Sequence, residues 1–152
     1  HHRAHHRAHF LAVEVDVADP RDRSRAVLAL TLDAAAGSLS TSSNSERPTV
    51  VAGVRIGHLI DTRTGRQAKE IGSATVLATG ATVADCRSTG LFVLGEAEGV
   101  TLMSRWSREQ GAEAVLLLVD APGLRALITP GLAGRARALV PGLRIQTIAG
   151  FS

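Results

Sequence analysis

The chain has 152 residues and a mass of 15.9 kDa, a size that fits a single globular domain with one continuous core. Hydrophobic residues make up 45% of the sequence and charged residues 20%, a balance that excludes wholesale disorder. The formal net charge is +3, but the basic residues are scattered and aromatic residues make up only 3%, so we expect no nucleic-acid binding.

Cysteine content and hydropathy limit the classes of site. Cys86 is the one cysteine of the chain, which excludes an intramolecular disulfide and a cysteine-rich metal site. No stretch approaches the roughly 18–20 consecutive apolar residues of a membrane-spanning helix. The cellular compartment is left unassigned by these features.

The chain divides into three parts by composition. Residues 1–9 hold five of the six histidines, and we predict that this His/Arg-rich stretch is a disordered tail. Residues 10–132 carry the patterns of a folded domain. Residues 133–152 show weak periodicity, and we interpret them as an extension whose order the pattern does not specify.

The first half of the domain is predicted to be rich in strands. Apolar residues alternate with polar or small ones from Phe10 to Val17, which is the period-two signature of a half-buried strand. Further strands are predicted over 26–32 and 37–42, separated from the first by a charged turn at 19–25. After a polar loop closed by proline, residues 49–61 predict a hairpin that turns at Ala52-Gly53.

The second half is predicted to contain a helical hairpin between strands. A strand over 73–78 leads to a helix capped by Thr79 or Thr82, which runs to about Leu94 with Gly95 as its terminating residue. A second helix is predicted from about Glu96 to Gln110, followed by strands over 114–120 and 124–129. The predicted fold class is α+β, a mainly antiparallel sheet with a helical hairpin.

The first segment with chemical potential is HLIDTRTG, residues 58–65. It places an imidazole, a carboxylate and a guanidinium on a glycine-containing turn, and Arg63 could bind a phosphate through its fork of donors. The alternative is a purely structural turn, closed by a side-chain bond from Asp61 to Thr64, with Arg63 exposed. The residues alone leave both interpretations open.

The second segment lies in the first predicted helix. Asp85 and Thr89 are four residues apart, so they project from one helical face and present a carboxylate and a hydroxyl about one turn apart. Hard oxygen ligands suit Mg²⁺. The same spacing also occurs by chance on many solvated helices.

The two segments together, in this order and with a strand between them, resemble the ApbE family. Members of that family carry a His-x-hydrophobic-Asp-Pro-Arg-Thr-Gly turn and, further along, an Ala-Asp-Ala-x-x-Thr-Ala helix that ends in a hydrophobic-Leu-Gly step. This chain matches HLID-RTG and AD---T--FVLG. The resemblance covers residues 10–132 and corresponds to the C-terminal half of the family.

The resemblance implies an FAD:protein FMN transferase, which transfers FMN from FAD to a Ser or Thr hydroxyl of an acceptor protein and releases AMP. It implies that Asp85 and Thr89 ligate Mg²⁺ and that His58 lies in the FAD site. Asp61, Arg63, Thr64 and Gly65 would form the cofactor-binding turn beside it. The catalytic base is left open between His58 and Asp85.

The chain departs from the family pattern in several places. Thr62 replaces the usual proline, and Ser43 and Ser45 stand where the family has glycine and tyrosine. The glycine-rich N-terminal half of the family is missing from this sequence, so two further hypotheses remain: a catalytically silent flavin-binding remnant and a Mg²⁺-dependent FAD pyrophosphatase. Strand edges left open by that half would favour association, including a homo-oligomer. Family members are often periplasmic or membrane-anchored.

Overall fold

The computed structural model describes residues 11–35, 37–44, 49–69, 71–121 and 123–149, and the predicted tail over 1–9 lies outside them. The described chain contains twelve strands, one long helical segment and a short 3-10 turn near the C-terminal end, and Asn44 also has 3-10 geometry. The strands are β1 (Ala12–Asp19), β2 (Asp22–Asp33), β3 (Ser38–Ser42), β4 (Thr49–Val51), β5 (Val54–Ile56), β6 (Ile60–Asp61), β7 (Arg66–Gln67), β8 (Gly72–Ala78), β9 (Glu113–Asp120), β10 (Gly123–Ile128), β11 (Ala136–Ala138) and β12 (Arg144–Thr147); the helical segment is α1 (Ala81–Gln110), and the 3-10 turn spans Pro130–Leu132.

The strands form two main sheets and two small hairpins. The larger sheet has the order β12-β10-β9-β8-β3, and all its pairs are antiparallel except β10 with β12. The smaller sheet has the order β1-β2-β11 and is antiparallel throughout. The predicted mainly antiparallel α+β fold is therefore confirmed.

The five-stranded sheet is the middle of three layers. One of its faces packs against α1, and the other packs against the three-stranded sheet. In β9, Leu116 and Leu118 belong to the helix-side cluster, while Val115 and Leu117 belong to the opposite one. Burial on both faces explains why this strand reads as a continuous apolar run rather than an alternating one.

The helical segment is broken at Gly95 and folds back on itself. Gly95 has φ 73° and ψ −167°, a conformation outside the helical region. The Arg87 guanidinium lies 4.8 Å from the ring centroid of Trp106 and donates a hydrogen bond to Gln110. These contacts join the two halves and make the predicted helical hairpin.

The predicted threonine cap of this helix is wrong. Gly80 occupies the cap position in an extended conformation, and its carbonyl accepts the Ala84 N–H at 2.9 Å. No side chain caps the helix. Thr79 lies one residue before that position, and Thr82 lies two residues after it, inside the helix.

The β4–β5 hairpin turns at Ala52-Gly53 as predicted, and both turn residues have positive φ. Its valines Val50, Val51 and Val54 are exposed. The alternation in β1 buries less than the pattern predicted, because Val17 is buried whereas Leu11, with 74% exposure, and Val13 are on the surface.

The segment beyond Leu132, where the sequence predicted no elements, adds a strand to each sheet. β11 pairs with β2, and β12 pairs with β10. Leu143 and Ile148 from this segment are buried. Within the described residues, no helix is long and apolar enough to span a bilayer.

Candidate functional site

Asp85 and Thr89 lie on the face of α1 that meets the edge strand β3. Ser40 Oγ donates a hydrogen bond to Asp85 Oδ1 at 3.1 Å. Ser42 Oγ lies 3.0 Å from Thr89 Oγ1. Because alternate residues of a strand share a face, the two serines place the carboxylate and the hydroxyl side by side along one edge of the sheet.

Ser88 connects these two contacts. Its side chain is fully buried, and its Oγ lies 2.9 Å from Ser42 Oγ and 3.3 Å from Ser40 Oγ. The same hydroxyl donates to the Asp85 carbonyl at 3.0 Å. A continuous network of hydroxyl groups therefore holds the first half of α1 against β3.

The Asp85 side chain is open to solvent, and Thr89 is partly exposed. The buried residues of the same helical half are Ala84, Ser88, Leu91 and Phe92. Folding of this half thus depends on other side chains, and the two oxygen groups stay accessible. A carboxylate and a hydroxyl in this setting are hard donors of the type that Mg²⁺ uses together with water and substrate phosphates.

Metal-ligating residues are otherwise sparse. Among the described residues, no group of three or more His, Cys, Asp and Glu side chains is positioned to hold an ion. A cation at Asp85 and Thr89 would therefore need further oxygens from water or from a bound ligand. Cys86, next to Asp85, is an exposed free thiol.

His58 is exposed between two residues that are fixed in the fold. Gly57 is buried, and the side chain of Leu59 packs against the helix-side core. The Leu59 N–H donates to Asn44 Oδ1 at 3.3 Å, and the Leu59 carbonyl accepts the Ala68 N–H at 2.9 Å. The imidazole therefore extends from an anchored backbone into solvent.

Asp61 and Arg63 form a closed ion pair. Arg63 donates to both oxygens of Asp61, from Nε at 3.0 Å and from a terminal nitrogen at 3.0 Å. Its other terminal nitrogen donates to Glu98 on α1 at 2.9 Å. The side-chain hydrogen bonds from Arg63 hold the pKa of Asp61 below its usual value, and the two carboxylates raise the pKa of Arg63.

The remaining residues of this turn bond to one another. The N–H groups of Thr64 and Gly65 donate to the Asp61 carbonyl at 3.1 and 2.8 Å, and Thr64 Oγ1 accepts the Arg66 N–H at 3.2 Å. Gly65 has φ +67°. Thr64 Oγ1 also donates to the Asp61 carbonyl at 3.4 Å, whereas the Asp61 carboxylate bonds to Arg63.

A cavity of about 480 Å³ lies between this turn, the break in α1 and the end of β9. Its charged lining residues are Asp61, Arg63, Lys69, Glu96 and Asp120. Glu96 and Asp120 both accept hydrogen bonds from Arg125. The carboxylates at this cavity are therefore partly neutralised by arginine.

Sequence reasoning missed the residues that hold the candidate site together. Ser40, Ser42 and Ser88 contact Asp85 or Thr89, and Asn44 contacts the backbone beside His58. The alternating serines of GSLSTS were the available signal, since they predict hydroxyls on one face of a strand. Their partners lie more than 40 residues away, beyond the reach of a local pattern.

The chain is similar in sequence and fold to known proteins. The model of the ApbE family matches residues 4–116. The chain is 32% identical over 117 residues to an FAD:protein FMN transferase of Klebsiella pneumoniae strain 342, and 34% identical over 104 residues to one of Rhodobacter capsulatus. The fold is similar to that of the ApbE protein from Thermotoga maritima, with a TM-score of 0.59 and 32% identity.

These similarities cover most of this chain but a minor part of each relative. The alignments take in 76% and 68% of the chain, and 32% and 19% of the Klebsiella and Rhodobacter proteins. The structural match covers 74% of this chain and 34% of the Thermotoga protein. The chain therefore corresponds to about a third or less of the proteins it matches.

Proposed function

This chain belongs to the ApbE family, and from that premise we propose that it provides the Mg²⁺-dependent FAD-binding part of an FAD:protein FMN transferase. The observation that carries the proposal is the placement of Asp85 and Thr89. Both lie at the solvent-accessible edge between α1 and β3, and each is held by a serine of β3. The similarity to proteins named FAD:protein FMN transferase supports FAD as the substrate.

The reaction is a phosphoryl transfer with FMN as the transferred group. A Ser or Thr hydroxyl oxygen of the acceptor protein bonds to the phosphorus on the FMN side of the FAD pyrophosphate. The bond from that phosphorus to the bridging oxygen breaks, AMP leaves with the bridging oxygen, and the hydroxyl proton passes to a base. The products are an FMN phosphoester of the acceptor protein and AMP.

The oxygen donors fit a magnesium ion. Asp85 and Thr89 would hold it, with the FAD phosphates and water completing the shell. When bound, Mg²⁺ supplies Lewis-acid stabilisation of the charge that develops on the phosphate oxygens. The serines orient both donors before the ion arrives, because their hydroxyls fix the Asp85 carboxylate and the Thr89 hydroxyl in place.

Two residues can take the proton of the attacking hydroxyl. The Asp85 carboxylate would be engaged by the cation and would not be free to take the proton. His58 is exposed on an anchored turn, and imidazole is the side chain that most often serves as a general base. We therefore assign the base role to His58 and the metal-binding role to Asp85.

Calorimetric titration of FAD into the protein, with and without Mg²⁺, tests the metal assignment. We expect FAD binding that strengthens with Mg²⁺, and we expect Asp85→Asn to lose the Mg²⁺-dependent part because the amide removes the charge of the ligand. Glu109→Gln is the matched control, since Glu109 is an exposed carboxylate on the same helix. Equal Mg²⁺ dependence in Asp85→Asn and the parent would refute the assignment.

A second experiment separates transfer from hydrolysis. The protein is incubated with FAD, Mg²⁺ and an acceptor protein, and a denaturing gel is inspected for covalent flavin fluorescence. A fluorescent acceptor band supports the transferase. Free FMN and AMP without a labelled band would favour the pyrophosphatase, and Mg²⁺-dependent binding without either product would favour the silent flavin-binding module.

A further inference from the structure

Asn44 lies at the junction between β3 and the turn that carries His58. It follows Ser42, the serine that contacts Thr89, by two residues. Asn44 is 4% exposed, which is unusual for an asparagine. Its position links the strand that holds Asp85 and Thr89 with the backbone that presents His58.

The side-chain amide of Asn44 touches the backbone on both sides of His58. On the C-terminal side, Asn44 Oδ1 accepts the Leu59 N–H at 3.3 Å. On the N-terminal side, the amide packs flat against Gly57. A β-carbon built on Gly57 would lie 2.2 Å from Asn44 Cγ and 2.4 Å from Oδ1, distances that real contacts do not allow.

Gly57 is therefore required for close approach. Its φ does not fall among the positive values found at other glycines, so other residues could adopt its backbone conformation. Any side chain at position 57 would instead displace the Asn44 amide. The contacts of Asn44 with Gly57 and Leu59 thus fix the two peptide groups that flank His58. The backbone position from which the exposed imidazole extends is therefore defined.

We propose that Asn44 is a positioning residue, which holds the His58 imidazole in register with the Asp85 and Thr89 pair through contacts with Gly57 and Leu59. The proposal rests on the proposed function and adds a residue to it. Asn44 acts on His58 through the backbone of the neighbouring residues, and the atom that makes the hydrogen bond is its acceptor oxygen Oδ1. The buried Nδ2 has no hydrogen-bond partner within the described part of the chain, which is consistent with an oxygen-centred role.

Amide hydrogen exchange tests the contact without any ligand. We expect the Leu59 amide to be protected in the parent and in Asn44→Asp, which keeps the acceptor oxygen and the side-chain shape. In Asn44→Ala the protection is lost at Leu59 and retained in β9, which reports that the fold is intact. Unchanged Leu59 protection in Asn44→Ala overturns the contact.

A double-mutant cycle tests the link to His58. FAD affinity in the presence of Mg²⁺ is measured for Asn44→Ala, His58→Ala and the double variant. We expect each single variant to lose about tenfold, the effect of one well-placed hydrogen bond or contact, and the double variant to lose no more than His58→Ala alone. Additive losses would show that Asn44 acts independently of His58 and would overturn the proposal.

The outcomes distinguish this inference from the proposed function. If the parent shows no Mg²⁺-dependent FAD binding, the proposed function fails and the flavin-linked role of Asn44 fails with it. If binding depends on Asp85 but His58→Ala has no effect, the metal assignment stands and the positioning role is wrong. Gly57→Ala supplies an independent variant. Its added methyl group should displace the Asn44 amide, so it should also remove the protection of the Leu59 amide.

Discussion

Thr89 supplies the second oxygen of the proposed metal site. Thr89→Val keeps the side-chain shape but removes the oxygen that would bind a cation and that contacts Ser42. We expect FAD binding in Mg²⁺ to weaken by about tenfold, with little change without Mg²⁺. Thr101→Val, at an exposed position of the same helix, is the control and should match the parent in calorimetry. A Mg²⁺ response equal to that of the parent would exclude Thr89 as a ligand.

The Asp61 carboxylate carries a pH-dependent contribution to the fold. Its pKa is lowered by the hydrogen bonds from Arg63, so the folded state favours the ionised form. This stabilisation is fully present above the pKa of the unfolded chain and is lost as the pH falls through the lowered folded-state pKa. The Arg63–Asp61 pair should therefore matter in neutral solution and disappear in strong acid.

Arg63→Gln should raise the pKa of Asp61 towards its usual value of 3.8. The carboxyl carbon of Asp61, followed by NMR during an acid titration, reports the change directly. Asp22 is a useful internal reference, because the pKa of that carboxylate is lowered by Ser24 and is independent of Arg63. An unchanged Asp61 titration in Arg63→Gln would mean that the ion pair does not form in solution.

At the level of elements, the break in α1 depends on Gly95. Its φ of 73° and ψ of −167° fall in a region that only glycine visits readily. Gly95→Ala should lower the free energy of unfolding by about 1–3 kcal/mol. Gly90→Ala is the matched change, because Gly90 lies inside the helix and a β-carbon added there would meet no atom within 4 Å. That variant should raise the free energy of unfolding by about 0.5–1 kcal/mol, both values being measured by urea titration.

Long elements could be predicted from local patterns. The apolar run of β9 indicated the central strand, and the glycine at position 95 indicated the helical hairpin. Side-chain hydropathy and the conformational freedom of glycine are local properties, so both can be recognised in the sequence. β11 and β12 were missed because they are three and four residues long and partly exposed. Strands of that kind are stabilised by neighbours that are distant in sequence.

The candidate site divides in the same way. The shared face of Asp85 and Thr89 follows from helical geometry, and it could be predicted from their spacing. Arg63 pairs with Glu98, which is 35 positions away, so no local sequence pattern predicts this contact. Contacts from β3 to α1 likewise depend on how the layers pack.

For the whole molecule, the segment 133–149 connects the two sheets. β11 lies in one sheet and β12 in the other, and Leu143 between them is buried in the core that separates the sheets. Leu143→Ala should lower the free energy of unfolding by about 2 kcal/mol, through lost burial and a residual cavity. Gln146→Ala, at an exposed position of β12, should change it by less than about 0.5 kcal/mol. Similar urea midpoints for the two variants would contradict the conclusion that Leu143 helps to hold the two sheets together.

The serine contacts around Asp85 and Thr89 have one more consequence. Hydroxyl groups rotate, and Ser42 and Thr89 can each change between hydrogen-bond donor and acceptor by turning a single proton, whereas Ser88 donates to the Asp85 carbonyl. Binding and release of a cation at Thr89 would then reverse the direction of the Ser42–Thr89 hydrogen bond while the heavy atoms keep their places. Such a centre would be pre-assembled, and crystals of the empty and charged forms would superimpose at β3 and α1.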